Sequence, residues 1–193
     1  MVSYKSSNIG DDRRKNTLKR TIEMIYIYHD YGGTHTTSLA AAYHLKLLDD
    51  PSKVLSKEEV LAVPYFNKLK KQDAGKFIFH GEDEEGNPVY TIGKRSSKLV
   101  LPSIYHLSEI MTQRYGLREK IIFSNTSPVV PLAMTLGGFF SRGLGIDFIG
   151  VPLLVKGAQQ CCKHIYQLVD RTKALANETE TQIILIDNHR FQA

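Results

Sequence analysis

The chain is poor in cysteine: two among 193 residues, and those two, Cys161 and Cys162, are adjacent. Neighbouring cysteines bond each other only with strain. Their spacing fits neither a Cys-x-x-Cys redox motif nor a zinc pattern. A disulfide scaffold is therefore excluded, and free buried thiols on a helix suit a reducing cytosol, the expected compartment. Long apolar runs are also missing. Nothing approaches the ~20 residues of a membrane-spanning helix, and the N-terminus lacks the apolar stretch of a secretory signal. A cytoplasmic protein with no membrane partner is expected. Charge of one sign is scarce where a polyanion binder needs it. The net charge is +5, but residues 1–20 alone hold six basic and two acidic side chains, leaving 19 basic against 18 acidic over 21–193. A nucleic-acid-binding body builds a basic face, and this one has no surplus to build it. Residues 1–20 read as a flexible polar tail, and 21–193 as a single α/β domain.

The familiar catalytic and nucleotide motifs are absent as well. There is no Gly-x-x-x-x-Gly-Lys-[Ser/Thr], no Gly-x-Gly-x-x-Gly and no Gly-x-Ser-x-Gly. No histidine pair at helical spacing has an acidic partner, so neither metal nor cofactor is expected.

What is present alternates between strand and helix. Ile22–Tyr28 is β-branched and aromatic, a short buried strand. His29-Asp30-Tyr31-Gly32-Gly33-Thr34 breaks it, and Thr36–Leu48 reads as a helix whose Ala40, Ala41 and Ala42 permit close packing. Ser56-Lys57-Glu58-Glu59 is a capping box opening a short helix that ends before Pro64. Residues 76–80 and 88–92 form two strands joined through Gly86-Asn87, a hairpin signal. A helix with Ile104, Leu107, Ile110 and Met111 on one face runs to Tyr115, and Gly116 is its expected C-cap. Lys120–Ser124 is a strand. The helix expected from Pro128 to Arg142 is apolar nearly all round, and Gly137-Gly138 inside it predicts a close backbone contact. Ile146–Val155 reads as another strand, interrupted by Pro152. The last long helix places Cys161, Cys162, Ile165, Leu168, Val169 and Leu175 at helical spacing, and Gln182–Asp187 is an edge strand or a docking segment. The predicted fold is α/β: a mostly parallel open sheet with helices on both faces, Rossmann-like and three-layered, with a β-hairpin insertion.

In such sheets ligands sit outside the carboxyl ends of the strands. Four loops read as opening there: 29–38, 93–98, 124–128 and 156–160. The first is the most informative. Gly32 and Gly33 let backbone approach a ligand, the helix after them offers unpaired N–H groups and its positive dipole end, and Thr34, Thr36, Thr37 and Ser38 add hydroxyls. The alternative is a tight turn with no ligand. His29, Asp30 and His35 flank the turn and are the candidates for acid–base chemistry, for ligand contact or for capping. His35 comes first for contact, and Tyr31 is placed to stack on a base. Lys94, Arg95 and Ser96 have the composition of a phosphate clamp. Ser124, Asn125 and Thr126 suit a base or sugar edge, or only cap the next helix. Lys156 and Gln159 belong to the fourth loop.

Tyr28-His29-Asp30-Tyr31-Gly32-Gly33-Thr34-His35, Phe79–Tyr90 and Gly137-Gly-Phe-Phe-Ser-Arg142 with Leu144-Gly145 after it together resemble an uncharacterised family of small Gram-positive bacterial proteins. The likeness spans about 22–175. It implies one intact domain and brings no catalytic residue with it.

The expectation is a protein that binds a phosphate-bearing small molecule, a nucleotide or nucleotide signal, to sense or sequester it. The alternatives are a phosphohydrolase or group-transfer enzyme using His29, Asp30 and His35, and a structural protein without ligand. No nucleophile with a placed base is legible, and homo-oligomerisation is left open.

Overall fold

The computed structural model describes residues 23–50 and 52–191; the basic tail expected over 1–20 lies outside them. Its frame is a five-stranded sheet. β1 (Met24–Asp30) runs parallel to β3 (Pro88–Gly93) on one side and to β4 (Lys120–Asn125) on the other, and β5 (Ile183–Ile186) adds parallel to β4. β2 (Ile78–Glu82) closes the far edge antiparallel to β3, giving the order β2-β3-β1-β4-β5. The two strands of the expected hairpin thus belong to the main sheet, and β3 pairs directly with β1.

Alternation along the strands separates two cores. Tyr26, Tyr28, Val89, Ile122 and Ile186 pack with helices α1 (Thr36–His44), α2 (Lys57–Ala62) and α5 (Asp147–Glu178). Ile27, Ile92, Ile121 and Phe123 face the opposite way, toward Val100, Leu101 and Ile104 of α3 (Val100–Tyr115). Helices therefore cover both faces. The second face is the thinner. Of the residues expected on one face of α3, Leu107, Ile110 and Met111 are exposed.

Local signals place several boundaries. In the capping box Glu59 N–H donates to Ser56 Oγ at 3.1 Å and Ser56 N–H to Glu59 Oε2 at 2.8 Å. Gly116 caps α3 in the left-handed region, with φ 67°. At the C-terminus of α5, the buried Lys120 ammonium donates to the carbonyls of Ala176, at 2.8 Å, and Thr179, satisfying groups the helix leaves unpaired.

Two expectations are corrected. Ile146–Val155 is not a strand but the first turns of α5, with Pro152 inside the helix. A continuous apolar run of that length does not distinguish a buried strand from a buried helix, and here Gly150, Leu154, Gly157 and Ala158 recur on one helical face. The helix expected to Arg142 is broken: a 3₁₀ turn at Ser127–Val129, then α4 (Leu132–Gly138), then a single π turn at Phe139–Gly143. It is not buried all round, since Leu132, Leu136 and Phe139 are exposed. The close contact expected at its glycines is present: a Cβ on Gly137 would lie 2.7 Å from the Leu154 amide nitrogen. α4 and α5 pack backbone to backbone, which fixes where the π turn emerges.

Candidate anion-binding site

Three of the four expected loops meet at the carboxyl edge. Lys94 N–H donates to Asp30 O at 3.0 Å, Arg95 N–H to Tyr31 O at 2.9 Å, and Thr126 N–H to His29 O at 2.9 Å. The fourth does not exist as a loop. Lys156 and Gln159 lie inside α5, where Gln159 donates to Leu55 O at 2.8 Å. Lys156 instead lines a groove of about 550 Å³ between α4 and α5, with Leu132, Leu136, Gln160 and His164.

The glycine turn is built largely from the protein's own groups. Asp30, buried, accepts from the Gly33 N–H through one carboxylate oxygen and from Thr36 Oγ1, at 2.8 Å, through the other. Thr36 Oγ1 also meets Thr126 Oγ1 at 3.0 Å. Gly33 has φ +72°, and a Cβ there would lie 2.5 Å from the Gly93 amide nitrogen. The close approach that requires glycine is thus to β3 rather than to a ligand. Thr34 Oγ1 donates to Tyr65 O at 2.7 Å, and Thr34 O accepts from Asn67 N–H at 3.1 Å, so this residue ties the turn to the 65–69 loop.

Beyond Gly33 the pattern changes. The five successive amides from Thr34 to Ser38 have no acceptor among the described residues. His35 occupies the N-cap position of α1 but makes no side-chain cap. Thr36, Thr37 and Ser38 are fully buried, and the hydroxyls of Thr37 and Ser38 have no partner among the described residues. Each unpartnered buried polar group costs about 1–3 kcal/mol, so this first turn is an expensive piece of structure. Its amides and dipole carry partial positive charge beside the Asp30 carboxylate.

His29, Asp30 and His35 come near one another without joining: no hydrogen bond links any two. His29 points to the α3 side of β1. Its Nδ1 is buried without a partner among the described residues, and burial, with the Lys94 charge second, lowers its pKa to about 4. His35 faces the other way. Its ring packs edge-on against Phe66, and a Cβ on Gly138 would lie 3.3 Å from its Cε1. Burial holds His35 below its ordinary pKa against the opposing Asn67 hydrogen bond and Asp30 charge.

The directions of the hydrogen bonds around His35 can be read. Asn67 Oδ1 accepts from Arg142 Nε at 2.7 Å and stands 3.2 Å from His35 Nε2, so that nitrogen carries the proton and donates. Asn67 Nδ2 donates to Ser141 Oγ at 2.9 Å, and Ser141 donates onward to the Asp147 carboxylate at the start of α5. A neutral His35 therefore spends its N–H on Asn67. Asn67, Ser141, Arg142 and Asp147 carry no site signal in the sequence beyond the Gly137–Arg142 stretch.

The remaining expected residues divide. Ser124 has its hydroxyl fully used, between Thr172 Oγ1 at 2.8 Å and Asn188 Nδ2 at 2.9 Å. Asn125 Oδ1 accepts from Ser127 N–H at 3.0 Å, at the entry to the 3₁₀ turn. Tyr31 is exposed, with the Arg95 guanidinium 5.7 Å above its ring. Ser96 lies in the turn before α3. Among the described residues no three His, Cys, Asp or Glu side chains gather to hold a metal, and no helix is long and apolar enough to cross a membrane.

Fold and edge together define an α/β protein with a mostly parallel sheet and a run of unpaired amides where its first strand meets its first helix. A family described as proteins of unknown function, DUF3189, matches residues 25–174, and the chain belongs to it. No curated protein and no solved structure matches.

Proposed function

We propose that the protein binds a phosphate-bearing small molecule, a nucleotide or nucleotide signal, through the first turn of α1, and holds it for sensing or sequestration. One observation carries the reading: the Thr34–Ser38 amides and the Thr37 and Ser38 hydroxyls lack acceptors among the described residues, in a buried setting. A phosphate offers several acceptor oxygens to such a cluster and gains from the helix dipole. The strand order supports the placement. From β1 the chain passes to β3 and then crosses back to β4, so the connections diverge beside β1, which is where open, Rossmann-like α/β sheets take their ligands. On this reading β2 is a strand added at the edge. The seat lies one step past Gly33, whose own amide serves Asp30. The 63–69 loop packs against this turn, through Thr34 to Tyr65 and Asn67 and through His35 to Phe66.

A purely architectural reading has its own support. The Gly33–Gly93 contact and the Asp30 cap both serve the fold, and the groove between α4 and α5 lies away from the turn. The enzymatic reading has less, since His29, Asp30 and His35 form no relay. One experiment separates the three. Purified protein is incubated with adenosine and guanosine mono-, di- and triphosphates, stripped of free ligand and heat-denatured, and the released material is weighed by mass spectrometry. Intact nucleotide supports holding, altered nucleotide supports turnover, and none retained at millimolar concentration leaves the turn as architecture.

A further inference from the structure

We infer that Arg142 is the side chain that grips the ligand's terminal phosphate, and that Asn67 aims it. The inference rests on the α1 seat proposed above and adds the charged residue which that seat lacks. Three observations lead to it.

First, Arg142 stands on the single π turn, closed by Leu144 N–H to Phe139 O at 3.0 Å. Such single turns are frequent at functional sites. This one carries Ser141 and Arg142, and both meet Asn67.

Second, Arg142 is tethered at one nitrogen only. Its Nε donates to Asn67 Oδ1, while its two terminal nitrogens have no acceptor and no carboxylate partner among the described residues. A guanidinium held by Nε presents its remaining donors as a fork, the geometry that takes two oxygens of one phosphate. The residue is exposed although its anchor is buried.

Third, Asn67 is itself built into the seat. It adopts φ +54°, its N–H donates to Thr34 O, its Oδ1 accepts from His35, and its Nδ2 donates to Ser141. It therefore connects the turn ahead of α1, the N-cap of α1 and the π turn. Arg142 is thereby linked through Asn67, 75 positions away in sequence, to Thr34 and to the His35 side chain at the N-cap of α1.

The ligand class that fits carries a phosphate dianion with free oxygens on two sides, one set for the α1 amides and one for the fork. A lone carboxylate cannot fill both. Asn67 acts as a positioning residue: it meets no ligand on this account and works through Arg142.

The test compares wild type with Arg142→Gln, Arg142→Lys, Asn67→Ala and the Arg142→Gln, Asn67→Ala double variant, using calorimetric titration with inorganic pyrophosphate and with the nucleotide panel at two salt concentrations. If the inference holds, Arg142→Gln weakens binding of phosphorylated ligands by roughly 30-fold, and Arg142→Lys recovers only part of it because an ammonium cannot form the fork. Asn67→Ala weakens binding less, and the double variant is no worse than Arg142→Gln alone, the non-additivity expected when one residue acts through the other. The salt dependence flattens in the Arg142→Gln protein. Wild-type binding that survives Arg142→Gln unchanged overturns the inference and leaves the α1 seat standing. Wild type that binds no phosphorylated ligand overturns both. Melting curves for Arg142→Gln are expected to match wild type, since the side chain is exposed.

Discussion

The two ends of the sheet differ in how many of their buried polar groups find partners, although the Tyr43 hydroxyl, beside His44, also lacks one among the described residues. At the amino edge, Tyr28, His44 and Asp83 form a closed chain. Asp83 can only accept, so His44 donates Nε2–H to it at 3.2 Å and accepts the Tyr28 hydroxyl's hydrogen bond at Nδ1, at 2.8 Å. Asp83 also accepts from the amides of Glu85 and Asn87, and Asn87 Oδ1 accepts from Met24 N–H. Donors and acceptors find one another, and the result pins the β2–β3 turn onto β1 and α1. At the carboxyl edge the same kinds of group are left open: five amides, two hydroxyls and one imidazole nitrogen without partners among the described residues. A closed network stabilises; an open one is a liability unless something else completes it. That contrast is the physical ground on which the proposed function rests.

The contrast breaks most visibly at Gly33. Although it sits at the open edge, its contacts belong to the scaffold, and a β-carbon there would press on the Gly93 backbone in a left-handed conformation. Gly33→Ala is expected to cost on the order of 4 kcal/mol, measured by chemical denaturation. A stable Gly33→Ala protein would show that the turn is looser than its geometry states. Gly33 is accordingly a poor residue with which to test ligand binding.

The closed edge makes a prediction about acid. Burial first, and the Lys173 charge second, lower the His44 pKa to about 4 against the pull of Asp83, while His29 and His80 are also lowered to about 4. In the unfolded chain each returns to about 6.5. Stability is then complete above about pH 6.5 and falls as pH drops toward 4, because the unfolded chain takes up protons that the folded one refuses. Below about 4 the folded protein protonates too and the slope flattens. Each such histidine adds about 1.4 kcal/mol per pH unit to the slope in that window. His44→Gln should remove one histidine's share while lowering stability at pH 7 by on the order of 2 kcal/mol, through the unpaired Tyr28 and Asp83 groups. An unchanged slope in that variant would place His44 in contact with solvent and undo the scaffold half of the comparison.

How much of this is legible from residues alone depends on the range of the interactions. β1, the turn and α1 are legible because a β-branched run, a glycine pair and an alanine patch are each local signals. So are the Ser56–Glu59 box and the Gly116 cap. The 146–155 run misleads because its apolar character says buried and says nothing about which element does the burying; only contact with α4 through Gly137 and Gly150 decides for a helix. The role of Asn67 is hidden for a similar reason. Asparagine in a loop is ordinary, and this one matters because the π turn, itself without a local signature, brings Ser141 and Arg142 to it. The distinction between Gly33, whose amide is used, and the amides after it, which are not, depends on where Asp30 points. Sequence places that side chain beside the turn but does not aim it.

The smallest expected effect is the sharpest on function. Thr37→Val keeps the shape of the side chain and Ser38→Ala removes one oxygen; each deletes a buried hydroxyl that has no partner among the described residues. If these hydroxyls are retained for a ligand, removing them relieves a desolvation penalty in the free protein, so each variant should be more stable than wild type by about 1 kcal/mol. Each should also hold phosphorylated ligands less tightly, by roughly 3- to 10-fold for one neutral hydrogen bond of about 1 kcal/mol. Stability and affinity moving in opposite directions is the mark of a group kept for function at the fold's expense. The same exchange applied to Tyr28, whose hydroxyl is satisfied, should run the other way: Tyr28→Phe loses stability by about 1 kcal/mol and leaves ligand retention unchanged. Should Thr37→Val and Ser38→Ala destabilise the protein as Tyr28→Phe does, the two edges would be alike, and the first turn of α1 would be scaffold throughout.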